Sequence, residues 1–475
     1  MLLDKSIQEL HAGLTKREFS SEDLVRECYL NIEKYQTKLN AFITLVDKEK
    51  ALQEAKQKDR DFKPGVSKLY GLPYVLKDAY ISEDMRTTAA SHVLADFIPP
   101  YDSTVNKKLK KSGAILIGKM NMDAWGHGGS SENTDFGPVK NPWDTSRVAG
   151  GSSGGPAVAI STRMAVFAIG EDTGGSIRNP AAWCNITGLK VTYGRVSRYG
   201  TIAYASSFDT VGPMAKTAED CAVVLEAIAG CDPYDSTSSP IPTEKYVDLL
   251  KKNTRNKIVI GVPSEFFGKG LDLEIKTAIE STHKTFASLG MNINEISMPL
   301  FDYGLPVYYL IGPSETSSNL ARYDGIRFGN NREKFSQETM RRIMMGTYAL
   351  SAGYYDAYYK KAQKVRTLFI REYEKALAEC DVILMPVTPT PPSKIGELLT
   401  DPLSILLADI YTSTQNPVGV PSLALPAGFT KNKLPIGMQI VGPMFSESLL
   451  LTIGHLYQQK TDWHLRKPIL VFNKD

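Results

Sequence analysis

Two short glycine- and serine-rich segments hold the residue types best suited to chemistry in this chain. The first, Gly150–Gly155, reads Gly-Gly-Ser-Ser-Gly-Gly, and the second, Asp172–Arg178, reads Asp-Thr-Gly-Gly-Ser-Ile-Arg. Paired glycines let a backbone turn tightly and aim successive N–H groups into one cavity, as an oxyanion hole requires. A serine at the end of such a turn can act as a nucleophile. The second segment therefore indicates acyl-transfer chemistry at Ser176.

The first segment also has two simpler interpretations, a flexible linker and a phosphate-binding loop. A linker is expected within polar sequence, but the apolar run Pro156–Ile160 follows directly, which indicates folded structure. A second stretch, Gly113–Lys119, has the spacing of a phosphate loop, but Met120 stands where a Ser or Thr would bind magnesium. Because its middle residues are apolar, we expect a buried strand there and no ATP site.

A nucleophilic serine needs a base, and the sequence offers two kinds of candidate. None of the six histidines lies in an obvious catalytic motif; they are His11, His92, His127, His283, His455 and His464. The alternative base is a lysine that burial keeps neutral, and Lys77 ends the apolar run Gly71–Lys77. A lysine at a strand end is more commonly a surface residue whose amine reaches solvent. From the residues alone, both interpretations of Lys77 remain open.

Taken together and in this order, the lysine-ending run, the Gly/Ser loop and the second serine turn resemble the amidase signature family. The resemblance extends from about residue 66 to the end of the chain, and its further segments are Pro180–Ala182 and Gly188–Ser197. It implies a nucleophile at Ser176, a bridging Ser152 that follows a cis peptide bond from Gly151, and a base at Lys77. It also implies an oxyanion hole formed by the backbone N–H groups of Thr173, Gly174, Gly175 and Ser176. The residues that would support the site from behind are Ser153, Asp172 and Arg178.

Within the family, several segments are similar to the glutaminase subunits of tRNA-dependent amidotransferases. They are Asn121–Asp123, Gly194–Gly200, Ser317–Gly325 and Gly346–Arg366. The similarity implies hydrolysis of glutamine to glutamate and ammonia inside a heterotrimer. A B subunit would use ATP and Mg²⁺ to activate misacylated Glu-tRNA(Gln) or Asp-tRNA(Asn), and a small C subunit would tie the two together. This chain itself would hold no metal or cofactor. A free-standing amidase acting on a small amide is the alternative.

The same similarity implies a clamp for free glutamine. Arg342 would bind the α-carboxylate and Asp409 the α-ammonium, with Tyr308 nearby. An arginine fork suits a carboxylate, and an aspartate suits an ammonium. The alternative is that Arg342 and Asp409 are surface charges.

The elements that position these residues are expected to form an α/β fold. Short β-type runs occur at 75–76, 114–117, 165–169, 258–262, 382–385 and 438–441. Helical patterns lie between several of them, including 354–379, where apolar residues recur every three or four positions. This alternation predicts an α/β layered fold with a largely buried sheet, and the family resemblance implies a single α/β/α layered domain around a central mixed sheet. We place the catalytic domain at 66–475 and a helical segment packed on it at 1–65, with a capping box at Ser20 and Asp23.

Composition excludes several other classes of protein. A net charge of +3 is too balanced to indicate nucleic-acid binding. The tightest basic cluster, within 107–111, fits the exposed face of a helix. The five scattered cysteines match neither a zinc site nor a disulfide framework, which favours a reducing, cytoplasmic setting. The sequence predicts no signal peptide and no membrane helix.

Overall fold

Strands from the whole length of the chain form one mixed β-sheet. The structure is a computed structural model that describes residues 1–251, 258–268, 270–327, 329–397 and 406–470. The strands are β1 (Phe42–Leu45), β2 (Pro73–Lys77), β3 (Ile115–Met120), β4 (Phe167–Asp172), β5 (Thr187–Lys190), β6 (Thr210–Ala215), β7 (Val259–Pro263), β8 (Asn292–Ile296), β9 (Val382–Pro386), β10 (Ser422–Phe429) and β11 (Pro435–Val441). Their order in the sheet is β1-β3-β2-β4-β6-β5-β10-β11-β9-β7-β8. Strand β2 pairs in parallel with β3 and β4, while β4, β6, β5, β10 and β11 pair antiparallel.

Helices cover both faces of this sheet. They are α1 (Ile7–Lys16), α2 (Ser21–Leu39), α3 (Lys48–Asp61), α4 (Thr104–Lys111), α5 (Gly154–Ser161), α6 (Arg178–Trp183), α7 (Ala218–Ile228), α8 (Tyr246–Lys251), α9 (Leu273–Ser288), α10 (Gly304–Asn319), α11 (Gln337–Leu350), α12 (Lys361–Glu379), α13 (Gln415–Val418) and α14 (Glu447–Lys460). Among the helices that the structure describes, none is both long and apolar enough to span a membrane.

Alternation along β2 shows why the fold has three layers. Tyr74 and Leu76 pack in a hydrophobic cluster that includes residues of α4 and α7, whereas Val75 packs in another that includes residues of α5 and α6. Successive side chains of a strand point to opposite faces, so both faces of β2 are buried. This confirms the predicted α/β/α fold with a mixed central sheet.

The N-terminal segment contains the expected helices and also one strand, which the sequence did not predict. Helix α2 begins at the predicted capping box, in which the Ser20 and Asp23 side chains each bond the other's backbone N–H. It ends at Asn40, whose left-handed backbone redirects the chain. The following strand β1 pairs antiparallel with β3, so the prediction that the 1–65 segment is helical is wrong for Phe42–Leu45. The division of the chain at residue 65 stays a prediction.

The six predicted β-runs correspond to β2, β3, β4, β7, β9 and β11, with ends that differ by a few residues. The phosphate-loop look-alike lies in β3, where the buried Lys119 pairs with Asp78 at 3.1 Å. The predicted helix 354–379 is α12, preceded by a π-helical turn over Asp356–Lys360. In the basic cluster of α4, Lys108 is half-buried and donates to backbone oxygens of Ile228 and Ala229. The other lysines of the cluster, Lys107, Lys110 and Lys111, are exposed.

Candidate active site

Lys77 ends β2 with its side chain inside the protein. Strands β2, β3 and β4 are parallel, so their carboxyl ends meet at one edge of the sheet, where open α/β sheets place their ligands. The Lys77 side chain is fully buried, and its Nζ lies 2.7 Å from Ser152 Oγ and 3.0 Å from Glu171 Oε2. The interpretation of Lys77 as a surface residue is therefore wrong.

The Gly150–Gly155 loop is a buried turn that leads directly into α5. The peptide bond between Gly151 and Ser152 is cis, as the resemblance implies. A methyl group on Gly151 would lie 2.1 Å from Asp123 Oδ2 and 2.7 Å from the Ser130 backbone nitrogen, so only glycine fits. Ser131 closes the turn, because its hydroxyl donates to Gly150 O and accepts from the Gly154 N–H. This packing rules out the flexible-linker interpretation.

The second serine turn begins where β4 ends, at Asp172. The Asp172 carboxylate accepts from the Gly175 N–H at 2.8 Å and from the Ile177 N–H at 3.0 Å. Arg178 Nη2 lies 2.9 Å from Asp172 Oδ1. Although burial opposes ionisation of the carboxyl, the Arg178 guanidinium holds the pKa of Asp172 well below its usual range. The charged pair therefore fixes the backbone of the turn at neutral pH.

Ser176 lies at the end of this turn, close to the Gly/Ser loop. The Ser153 N–H donates to Ser176 O at 3.1 Å. The Ser153 hydroxyl donates to Glu171 O, so it fastens the loop to the end of β4. Of the four predicted oxyanion donors, Gly175 donates its N–H to the Asp172 carboxylate.

The predicted clamp residues are buried, so their interpretation as surface charges is wrong. The Arg342 side chain is 3% exposed; its Nε lies 2.9 Å from Glu338 Oε1, and its Nη1 donates to Tyr204 OH at 2.8 Å. Asp409 accepts from Tyr309 OH at 2.9 Å. Burial raises the pKa of Asp409 to about 7, against the lowering effect of Tyr309 and Arg342. A cation and an anion thus stand near each other in a low-dielectric part of the protein.

Two residues close to Arg342 and Asp409 contact the second serine turn. A methyl group on Gly174 would lie 2.4 Å from Tyr308 Cζ, so the Tyr308 ring lies directly against the turn. Thr412, which follows Asp409 in the chain, donates through its hydroxyl to Gly174 O at 2.6 Å. The structure therefore brings the residues predicted for chemistry and those predicted for substrate recognition to one place.

Several residues at this site were not predicted. Glu171 contacts Lys77 directly, and an acidic residue at a buried strand end was the signal that could have revealed it. His127 packs edge-on against Tyr204 with ring centroids 4.8 Å apart, and burial lowers its pKa well below the ordinary value. Nothing in its sequence context distinguishes this histidine from the other five. Within the described ranges, no three His, Cys, Asp or Glu side chains are grouped as they would be around a metal ion.

Comparisons with known proteins show the family to which the chain belongs. The sequence profile of the Amidase family matches residues 23–451. The A subunit of glutamyl-tRNA(Gln) amidotransferase from Brevibacillus brevis (strain 47) is 46% identical and aligns over 98% of this chain and 99% of its own length. Its counterpart from Coxiella burnetii (strain Dugway 5J108-111) is 48% identical over 98% of this chain and 99% of its own. Among solved structures, the A subunit of the Thermotoga maritima glutamyl-tRNA(Gln) amidotransferase has a TM-score of 0.83 and 35% identity, covering 97% of this chain and 96% of that one.

Proposed function

Since the chain belongs to the amidase family, we propose that it hydrolyses glutamine to glutamate and ammonia through a Ser176–Ser152–Lys77 triad. In this proposal it is the A subunit of a tRNA-dependent amidotransferase. The observation that carries the proposal is the buried 2.7 Å contact between Lys77 Nζ and Ser152 Oγ, at the sheet edge where the Ser176 turn also lies. A lysine bonded to a serine in a buried site can serve a serine nucleophile as its base.

The first half of the reaction forms an acyl-enzyme. Ser176 Oγ attacks the side-chain carboxamide carbon of glutamine, its proton passes to Ser152, and the proton of Ser152 passes to Lys77 Nζ. The N–H groups of Thr173, Gly174 and Ser176 stabilise the negative oxygen of the tetrahedral intermediate. The relay then returns a proton to the amide nitrogen, the carbon–nitrogen bond breaks, and ammonia leaves.

The second half releases glutamate. Water takes the place of ammonia and gives its proton through Ser152 to Lys77 as its oxygen attacks the ester carbon. A second tetrahedral intermediate collapses, the ester bond to Ser176 breaks, and Oγ recovers its proton from the relay. The enzyme returns to its starting state with no cofactor or metal consumed.

Glutamine is the substrate favoured by the buried charges. Its α-carboxylate would bind the Arg342 guanidinium, and its α-ammonium would bind Asp409, while Tyr308 forms the wall beside Gly174. Although Arg342 already pairs with Glu338, a simple amide carries neither charge and would make no use of this arginine and aspartate.

The partners follow from what the relatives are named. The A subunit of a glutamyl-tRNA(Gln) amidotransferase belongs to an assembly, and we place this chain in a heterotrimer with B and C subunits. The B subunit would bind the misacylated Glu-tRNA(Gln) or Asp-tRNA(Asn) and use ATP and Mg²⁺ to activate it. Ammonia from this chain would then complete the transamidation. All of this chemistry belongs in the cytoplasm, where tRNA is charged.

The test is glutaminase activity of Ser176→Ala in the complete heterotrimer. Activity should disappear, because no other group can form the ester, and the melting temperature should stay near that of the parent protein. Ser146→Ala, at an exposed loop serine, is the matched control and should keep full activity. Persistent activity in Ser176→Ala would refute the proposal.

A second measurement separates a component of this heterotrimer from a free-standing amidase. Glutamine hydrolysis by this chain alone should be weak and should rise when B and C subunits are added, since ammonia made without an acceptor is wasted. Equal rates with and without partners would favour the free-standing enzyme.

A further inference from the structure

The contact between Lys77 and Glu171 is an unexpected feature for a lysine that acts as a base. Lys77 Nζ and Glu171 Oε2 are 3.0 Å apart, and the two side chains are 0% and 2% exposed. A carboxylate at this distance in a buried site favours the charged form of an amine. The lysine of the proposed relay must start neutral, so this neighbour affects the reaction rather than packing alone.

The other oxygen of Glu171 faces a second acid. The Thr173 hydroxyl lies 3.3 Å from Glu171 Oε1 and 2.7 Å from Asp209 Oδ1. Burial and the nearby Glu171 carboxylate raise the pKa of Asp209 well above its usual range. Thr173 therefore links the two acids, and Glu171 is the one that contacts Lys77.

We propose that Glu171 is a positioning residue for Lys77: its carboxylate anchors the amine against Ser152 and stabilises the ammonium that forms there during the relay. This inference rests on the triad proposed above. When Ser152 passes its proton to Lys77 Nζ, an ammonium forms beside the Glu171 carboxylate and is stabilised by it. When the relay reverses, the ammonium returns that proton to Ser152 and the amine is neutral again. Glu171 itself neither gains nor loses a proton.

Other charged and titratable groups act on this pair from the elements around it. Tyr80 follows β2 and donates to Gly170 O, Asp123 lies beneath the Gly151 backbone, and Arg198 acts electrostatically on Asp209. None of them is bonded to Lys77 Nζ, whose bonds go to Ser152 and to Glu171 through both its carboxylate and its backbone oxygen. Glu171 is thus the carboxylate in direct contact with the amine.

The experiment is the pH profile of kcat/KM for glutamine in the heterotrimer, compared between the parent protein and Glu171→Gln. The amide keeps the shape of the side chain but removes its charge. The acid limb should move to lower pH by about one to three units, the range that an adjacent opposite charge produces. The rate on the alkaline plateau should fall at least tenfold, because a less basic amine is a weaker general base.

The matched control is Glu447→Gln. Glu447 is also fully buried and lies 3.6 Å from a buried cation, Arg195 Nε, but at the start of α14. Its loss should lower the melting temperature without moving the acid limb. If Glu171→Gln does not fold, Glu171→Asp gives the same test with a smaller shift, because the carboxylate is withdrawn by one methylene.

The outcomes separate this inference from the function on which it rests. An acid limb that stays in place in a folded Glu171 variant, while Ser176→Ala is inactive, overturns the role of Glu171 and leaves the triad standing. Activity in Ser176→Ala overturns both. If the acid limb of the pH profile moves equally in Glu447→Gln, the positioning role of Glu171 is also overturned, since the shift would then follow from the loss of any buried charge.

Discussion

Arg341 and Arg342 are neighbours on α11 that share one carboxylate, and they allow a sharp test of the glutamine clamp. Both guanidinium groups contact Glu338, but the side chain of Arg341 is 48% exposed and that of Arg342 is 3% exposed. Only Arg342 also bonds Tyr204 and lies over the Tyr309 ring, 5.1 Å from its centroid. We predict that Arg342→Lys impairs hydrolysis of glutamine and that Arg341→Lys does not.

The size of the effect follows from the geometry of a fork. Lysine keeps the positive charge but replaces two parallel hydrogen bonds to the α-carboxylate by one. A hydrogen bond to a charged group contributes about 1.5–3 kcal/mol, and about 1.4 kcal/mol is a factor of ten. The kcat/KM for glutamine should therefore fall roughly ten- to a hundredfold. Because Arg341 still pairs with Glu338, the change leaves that carboxylate with a cation.

The assay compares glutamine with butyramide, which has the same carboxamide chain but neither α-charge. Both substrates are given to the heterotrimer, and released ammonia is measured over a range of concentrations. Butyramide should be hydrolysed slowly by the parent protein and at the same rate by Arg342→Lys, because the triad and the oxyanion donors are unchanged.

Two results would refute the reasoning. If Arg342→Lys lowers kcat/KM equally for glutamine and for butyramide, Arg342 supports the fold of the site and does not recognise the α-carboxylate. If Arg341→Lys and Arg342→Lys lower kcat/KM for glutamine equally, the effect arises from the charge balance at Glu338, which both arginines share.

Three further predictions concern the triad, the clamp and the Gly/Ser loop. Lys77→Ala and Ser152→Ala should each lower kcat by several orders of magnitude, and the double variant should be little worse, since members of a relay act as a unit; multiplicative losses would count against the relay. Burial raises the pKa of Asp409 to about 7, so its carboxylate takes up a proton as pH falls from about 8 to 6, and the KM for glutamine should rise over that range. Asp409→Asn should have a high KM that does not change with pH over the same range. Gly151→Ala should lose activity and melt at lower temperature, because its methyl group would lie 2.1 Å from a buried carboxylate oxygen, whereas Gly268→Ala, with its nearest atom at 3.5 Å, should do neither.

The strands that sequence predicted and those that it missed differ in composition. Strands β2 and β9 carry uninterrupted apolar runs, at residues 74–76 and 382–385, which the sequence pattern identifies, and proline stands only at the strand end. Strands β6 and β10 instead contain Pro213 and Pro426 in their interior, and β5 contains Gly188. Proline and glycine disfavour strands in isolation, so only the tertiary pairing within the sheet makes these segments extended. Local pattern could not reveal them.

The site shows the same limit at the level of single contacts. The family resemblance placed Lys77 and Ser152 in one site, and the structure joins them by a hydrogen bond. The contact of Lys77 with Glu171 was not predicted: an acidic residue at a strand end was visible in the sequence, but its place beside β2 depends on the order of strands in the sheet. The use of the Gly175 N–H by Asp172 was equally hidden, since it depends on how one side chain folds back on its own turn.

The arrangement of the site separates the chemistry from the choice of substrate. Lys77, Ser152 and Asp172 lie at the ends of neighbouring strands or in the loop between them, where each makes several buried polar contacts. A change at any of these positions leaves a charge or a donor without a partner in a low-dielectric interior, at a cost of several kcal/mol. Arg342 and Asp409 come from α11 and the segment before α13, and their neighbours Tyr308, Tyr309 and Thr412 connect them to this framework. The physical expectation is that substitutions in this outer layer alter which amide is accepted while hydrolysis itself continues, and that substitutions in the inner layer stop hydrolysis of every amide.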